Sequence, residues 1–157
     1  MFTHEKFTHL VQRYIDTVFR IALNYTKNPA DAEDITQNVF LKLYQQEQEF
    51  ASEEHIRNWL LRVAVNEGKK HVRSPWRKAS SYEEYASSVS FPSPEHRELF
   101  DAVMALPGKF RVPIYLHYYE GYSTREIAGI MRIPHGTVCA NLSRGRQLLR
   151  HQLQEDE

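Results

Sequence analysis

The chain has 157 residues, 41% hydrophobic and 25% charged, a composition that fits a soluble globular protein of one domain or two small ones. Twenty lysines and arginines offset twenty aspartates and glutamates, so the formal net charge is zero, and no apolar run approaches the roughly 18 residues that span a bilayer. The single cysteine, Cys139, excludes an internal disulfide and a cysteine-rich zinc site. The opening Met1-Phe2-Thr3-His4-Glu5-Lys6 lacks the basic then apolar layout of a secretory signal, so a cytoplasmic location is expected.

In chain order, Phe7, Leu10, Val11, Tyr14, Val18, Ala22 and Tyr25 recur at spacings of three and four, one apolar helix face over about 5–26. Asn28-Pro29 reads as an N-cap with proline at the first helical position. The helix it opens carries Asp31, Glu33 and Asp34 where the dipole favours acid, and runs through Ile35, Val39, Phe40 and Leu43 to about Gln46. A polar stretch, Glu47 to Glu54, precedes a third helix to Arg73, with Ile56, Trp59, Leu60, Val63 and Ala64 as its expected buried stripe. Ser74-Pro75 stops it. Residues 74–93, rich in serine and without apolar period, read as a flexible linker with at most a short helical piece near Glu83-Glu84.

Ser93-Pro94-Glu95 restarts helix, with Leu99, Val103 and Leu106 as its expected apolar face. Leu106-Pro107-Gly108 breaks it. The next helix, about Lys109 to Tyr119, offers Val112, Ile114, Tyr115 and Tyr118 for burial, and Pro113 inside it predicts a kink or a shifted start. Gly121 ends it. Ser123 and Glu126 have capping-box spacing and open a short helix burying Ile127, Ala128 and Met131. After the turn Arg132-Ile133-Pro134-His135, a last helix starts at Gly136 or Thr137, runs to about Leu153 and buries Val138, Leu142 and Leu149. A capped short helix, a tight turn and a longer basic helix make a helix-turn-helix, whose second helix lies in the major groove of DNA. No strand pattern is present, so the expected fold is all-α: two small helical domains, 1–73 and 94–157, joined by the linker.

The charges are segregated. Acid gathers at Asp31, Glu33 and Asp34 and again from Glu47 to Glu54; base gathers at Lys69, Lys70, Arg73, Arg77, Lys78 and at Arg144, Arg146, Arg150. Such runs serve either as solvated helix faces or as contact surfaces. The acidic helix start either complements its own dipole or pairs with cations of a partner helix, with Asp34 and Gln37 sharing a face. Arg57, Asn58, Arg62, Asn66, Lys69, Lys70 and Arg73 on the third helix form either a solvated polar face or a cationic contact surface. On the last helix Thr137 is placed to meet phosphate, while Cys139, Ala140, Ser143 and Arg144 form one outward stripe, and Asn141 suits phosphate or an adenine edge. Arg144 is the candidate for a bidentate guanine contact. Arg146 and Arg150 serve either phosphate or intra-domain contacts. His4 and His9 are five apart, not the four of a zinc-binding helix, so no metal is expected. No phosphate loop or nucleophile elbow suggests a cofactor or catalysis.

Several segments together resemble the extracytoplasmic-function sigma factors, short two-domain initiation subunits of bacterial RNA polymerase. Phe7-x-x-Leu10-x-x-x-Tyr14-x-x-x-Val18 looks like that family's opening helix. Asp31-Ala32-Glu33-Asp34-Ile35-Thr36-Gln37-Asn38-Val39-Phe40-Leu41-Lys42 looks like its polymerase-binding helix, and Trp59-Leu60-Leu61-Arg62-Val63-Ala64-Val65-Asn66 like the start of its promoter-melting helix. Leu106-Pro107, Arg111, Tyr119-Glu120-Gly121, Glu126-Ile127-Ala128 and Gly136-Thr137-Val138 fit its C-terminal domain.

The resemblance implies that Asp31, Glu33, Asp34 and Gln37 bind the β′ clamp helices of core polymerase. It implies that the third helix, with residues 48–55 as a base-pocket loop, handles the −10 element, and that the last helix reads the −35 element while its domain meets the β flap. A controlling anti-sigma factor is a further implied partner. This chain departs from the family where many members carry aspartate (here Lys70) and where many carry Lys or Arg (here Cys139 and Asn141), so the front of the last helix is short of cations. Rival readings are an autonomous helix-turn-helix regulator, a helical enzyme or metal protein, and a paralogue that binds polymerase but reads promoters poorly.

Overall fold

The computed structural model describes residues 2–74 and 93–155; the expected linker, with its helical piece near Glu83 and Glu84, lies outside the described residues except for Ser74 and Ser93. Every regular element among the described residues is helical, and the chain divides into two compact units, within 1–82 and 83–157.

The first unit holds α1 (His4–Thr26), α2 (Pro29–Tyr44) and α3 (Glu53–Arg73), each packed on the other two. Thr3 caps α1, its hydroxyl accepting from the Lys6 amide at 3.1 Å, and Lys27 ends it in the left-handed region at φ 51°. Asn28 caps α2 by accepting from the Asp31 amide at 3.1 Å with Pro29 behind it, as its sequence predicts. Ser52 caps α3, accepting from the His55 amide at 3.1 Å. Leu10, Val18 and Ile21 of α1, Val39 and Leu43 of α2, and Leu60, Leu61 and Val65 of α3 form the core.

The expected stripe of α3 is buried at Ile56, Leu60 and Ala64 but not throughout. Trp59 and Val63 are only half-buried, while Leu61, Val65 and Gly68 are inside. The cause is that α3 is covered by both α1 and α2, so its buried arc is wider than one partner would need and turns toward Leu61 and Val65. Gly68 meets α1 closely: a Cβ there would stand 2.3 Å from Tyr25 Cδ2.

The second unit holds α4 (Pro94–Met104), α5 (Gly108–Ile114), a π-helical turn (Tyr115–Tyr119), α6 (Thr124–Met131) and α7 (His135–Glu155). Ser93 caps α4, accepting from the His96 amide at 3.3 Å. Its inner face is Ala102, Met104 and Leu106; Leu99, expected inside, is 48% exposed, because α4 packs inward through its C-terminal turn onto α5 and α7. Buried Arg111 ties off that end, donating to the carbonyls of Leu106 at 2.6 Å and Met104 at 3.4 Å.

Pro113 does not break its helix. It removes one backbone donor, and the chain widens into the π-helical turn, where the Glu120 amide reaches back to the Tyr115 carbonyl at 3.2 Å. The wide turn leaves Tyr115 and Leu116 inside and carries Tyr118, expected inside, to 56% exposure. Gly121, at φ 79°, then takes the left-handed conformation that a side chain resists.

The capping box at α6 is complete: the Ser123 hydroxyl accepts from the Glu126 amide and the Ser123 amide donates to Glu126 Oε1, both at 3.1 Å. Its buried face is Ile127, Ile130 and Met131, with Ala128 at the margin. Arg132 makes the turn in the left-handed region at φ 55°, and α7 starts one residue earlier than expected, at His135.

Candidate nucleic-acid and polymerase surfaces

On α7 the inward positions Val138, Leu142 and Gly145 are buried, while Leu149, expected inside, is half-buried. The opposite arc is open: Thr137, Cys139, Ala140, Ser143 and Arg144 are exposed, and Asn141 is half-buried at its edge. Arg144 makes one weak tie along its own helix, Nη1 donating to Gln147 Oε1 at 3.3 Å. This leaves most of its donors for a ligand. His135, unnoticed in the sequence reading, joins the two helices of the motif: its Nε2 lies 2.7 Å from Thr124 Oγ1 at the start of α6 and 3.6 Å from Cys139 Sγ. The signal for it is its place in the first turn of α7, four residues before Cys139. Arg146 makes an intra-domain contact, Nη1 donating to Tyr118 Oη at 2.6 Å.

On α3, Asn58, Arg62, Asn66, Lys69 and Arg73 recur at three and four and share one face beside the core. Arg73 is exposed and the others are half-buried. Burial, and then the neighbouring charge of Arg73, lower the Lys69 pKa. Arg57 lies round the helix from them, its Nη2 3.9 Å from Glu54 Oε1. Lys70 stands at the α2 edge of the face: its Nζ is 3.8 Å from Glu67 Oε1, a carboxylate that also binds Lys42 of α2. Its charge is thus partly spent on Glu67.

The loop before α3 carries an aromatic cluster. Phe50 stacks on Phe2 with centroids 6.0 Å apart and takes the edges of His55 at 5.0 Å and Trp59 at 6.0 Å. The Ala51 amide donates to His55 Nδ1 at 3.1 Å, so a neutral imidazole carries its proton on Nε2. Trp59 therefore belongs to the half-open cluster more than to the core.

On α2 the acidic group divides. Glu33, Asp34 and Gln37 are exposed, but Asp31 is only 5% exposed, and its Oδ2 lies 3.2 Å from His71 Nε2 of α3. The reason is helical phase: Asp31 precedes buried Ile35 and Val39 by four and eight residues, so it sits on the core face. It is corrected from a partner-facing acid to an internal one. Beyond Asp34 and Gln37 the outer line runs on through Leu41, 53% exposed, and Tyr44, 55% exposed, with Phe7 of α1 edge-on to Tyr44 at 5.2 Å. The helical repeat from Asp34 marks both positions, but their apolar character hid them.

No helix among the described residues is long and apolar enough to cross a membrane. Two family models match: sigma-70 region 2 over residues 10–78 and sigma-70 region 4 over residues 96–149. The chain is similar to the RNA polymerase sigma-H factor of Pseudomonas aeruginosa, 27% identical over 94% of this chain and 86% of that one. It is similar also to the ECF RNA polymerase sigma-E factor of Haemophilus influenzae, 29% identical over 94% and 87%. Among solved structures, the fold matches CnrH in complex with the cytosolic domain of CnrY, with a TM-score of 0.73 and 21% identity over 99% of this chain and 92% of that one. It matches the Bartonella quintana sigma factor RpoE in complex with the anti-sigma factor NepR at a TM-score of 0.69, 21% identity and coverage of 96% and 98%. With both regions present in order, the chain belongs to the sigma-70 family as an RNA polymerase sigma factor of the extracytoplasmic-function type.

Proposed function

We propose that the first unit docks on the β′ clamp helices of core polymerase through α2 and grips the opened −10 element through α3, while the second unit reads the −35 element through α7 and meets the β flap. The protein is a promoter-recognition subunit and not an enzyme. The observation that carries the division of labour is the single face of Asn58, Arg62, Asn66, Lys69 and Arg73 on α3, close in sequence to the Phe50 aromatic cluster. Cations for a backbone and flat rings for unpaired bases are what single-strand binding needs, and a regulator acting only on duplex needs neither.

Glu33, Asp34 and Gln37 supply the polar part of the polymerase contact, and exposed Leu41 and Tyr44 extend it as an apolar end. Thr137 and Asn141 meet backbone, Arg144 reads a base edge, and Cys139, Ala140 and Ser143 pack against the groove floor. Lys70, Arg57 and Asp31 contribute less than their sequence positions suggest. One fold neighbour is a sigma factor in complex with the anti-sigma factor NepR, and another, CnrH, is in complex with the cytosolic domain of CnrY; the first supports control of this chain by an anti-sigma factor. Its working place is the cytoplasm, with the polymerase.

Run-off transcription with core polymerase and genomic DNA tests the reading, combined with core-binding titrations. Asp34→Ala is expected to weaken core binding roughly tenfold, as loss of one charge-assisted contact would. Asp31→Ala is expected to lower folding stability and leave core affinity of the folded protein near wild type. Arg144→Ala is expected to remove about 1–3 kcal/mol of −35 discrimination. Unchanged core affinity in Asp34→Ala, or unchanged −35 selectivity in Arg144→Ala, removes the corresponding assignment.

A further inference from the structure

The geometry points to a clamp for one DNA backbone phosphate on the flank of the recognition helix, made by the guanidinium of Arg146 and the phenol of Tyr118. It rests on the reading of α7 as the −35 helix. Arg146 Nη1 donates to Tyr118 Oη at 2.6 Å across different elements. Both side chains remain exposed, Tyr118 at 56%. Because the phenol oxygen accepts from arginine, its own proton points elsewhere, and the guanidinium keeps further N–H groups. The pair thus offers a phenol proton, further guanidinium N–H groups and a full positive charge side by side, a set suited to a phosphodiester oxygen.

The pair is held by its surroundings. His117 Nδ1 lies 2.7 Å from the Tyr122 carbonyl; a carbonyl only accepts, so Nδ1 carries a proton and the imidazole is pinned. That imidazole stands edge-on to the Tyr118 ring, centroids 4.8 Å apart at 80°. The neighbour of Arg146 in sequence is Gly145, where a Cβ would lie 3.1 Å from Ile114 Cγ1. The bare backbone lets α7 rest close on the end of α5, immediately before the π-helical turn that carries Tyr118. The π-helical turn that follows α5 and the close approach at Gly145 together bring the two side chains into reach.

Position on the helix decides the ligand. Residues advance by about 100° each, which puts Arg146 roughly a quarter turn from the centre of the Cys139, Ala140, Ser143 and Arg144 arc. A side chain at that angle faces the groove wall, which is phosphate, when the arc faces the base edges. The clamp therefore adds affinity without sequence preference, on a helix with no lysine or arginine before Arg144.

The test uses holoenzyme assembled from core polymerase and the full chain, on a promoter fragment found by run-off transcription. Affinity is measured against salt concentration for wild type, Arg146→Ala, Tyr118→Phe and Arg144→Ala, with thermal melting of each free chain alongside. Arg146→Ala is expected to make the slope of log affinity against log salt shallower by about 0.9, the value of one phosphate contact, and to weaken all −35 sequences alike. Tyr118→Phe, which keeps the charge, is expected to leave that slope unchanged and lower affinity a few-fold, again without altering base preference. An unchanged slope in Arg146→Ala with a lowered melting temperature makes the pair a structural tie only and overturns the clamp. A changed base preference overturns it too. If Arg144→Ala alters −35 selectivity while Arg146→Ala leaves the slope alone, the clamp falls and the −35 reading stands; if neither variant has any effect on −35-dependent binding, both fall.

Discussion

Lys69 shows how a residue's neighbours set its use. Its side chain is half-buried on α3, and burial, then Arg73, depress its pKa below the ordinary lysine value of 10.5. The charged form is the one the folded protein disfavours. The destabilisation is thus fully present below the depressed value, fades as pH rises through it, and is gone above 10.5. A phosphate beside the ammonium favours the charged form again, so binding in that window takes up a proton. Holoenzyme affinity for a single-stranded −10 oligonucleotide is expected to fall as pH rises through the depressed value, and Lys69→Arg to flatten the profile. A profile identical in the variant removes Lys69 from the DNA contact. The sequence marked Lys69, Lys70 and Arg73 alike as cations. The i,i+3 spacing of Glu67 and Lys70 was legible, but that Glu67 also binds Lys42 was not, because that second pairing needs α2 and α3 side by side. Asp31 was different: its phase with Ile35 and Val39 was legible, but three acids in one turn read as one group.

At the scale of elements, helix starts were the most legible features. Asn28, Ser93 and the Ser123–Glu126 box all cap as their local chemistry requires, since a cap needs only three or four consecutive residues. Buried faces were less so. The α3 arc kept Ile56, Leu60 and Ala64 but took in Leu61 and Val65, and Leu99 and Tyr118 turned outward, because each face is chosen by the elements packed on it. Two glycines make the contrast testable. Gly68→Ala puts a methyl into the Tyr25 ring and is expected to cost about 1–3 kcal/mol, as overpacking does. Gly129 lies in α6 with nothing within 4 Å of its would-be Cβ, so Gly129→Ala is expected to add about 0.5–1 kcal/mol of stability. Urea unfolding of both variants checks the signs. A neutral Gly68→Ala would mean that Tyr25 can swing aside.

For the whole molecule, zero net charge and a recognition helix short of frontal cations point to weak DNA binding by the free chain. Polymerase supplies the missing affinity by holding both readers at one promoter, where linked contacts gain about 10²–10⁴-fold over single ones. The free chain is expected to bind a promoter duplex at least about 100-fold more weakly than the holoenzyme does. Comparable affinities measured at the same salt concentration would favour an autonomous regulator.

By itself the sequence determined the all-helical class, the position of most helix ends, the helix-turn-helix and the family, because these depend on local caps, periodicity and motif order along the chain. Only the tertiary structure decided which charged side chains remain available. Asp31 was set beside His71 of α3, and Glu67, the neighbour of Lys70, was engaged by Lys42 of α2. Arg146 was delivered to Tyr118 by a wide turn and a bare glycine. Each of these outcomes depends on residues from different elements meeting within a few ångströms, and a charge's solvation and partners are set by that meeting and not only by its place in the chain.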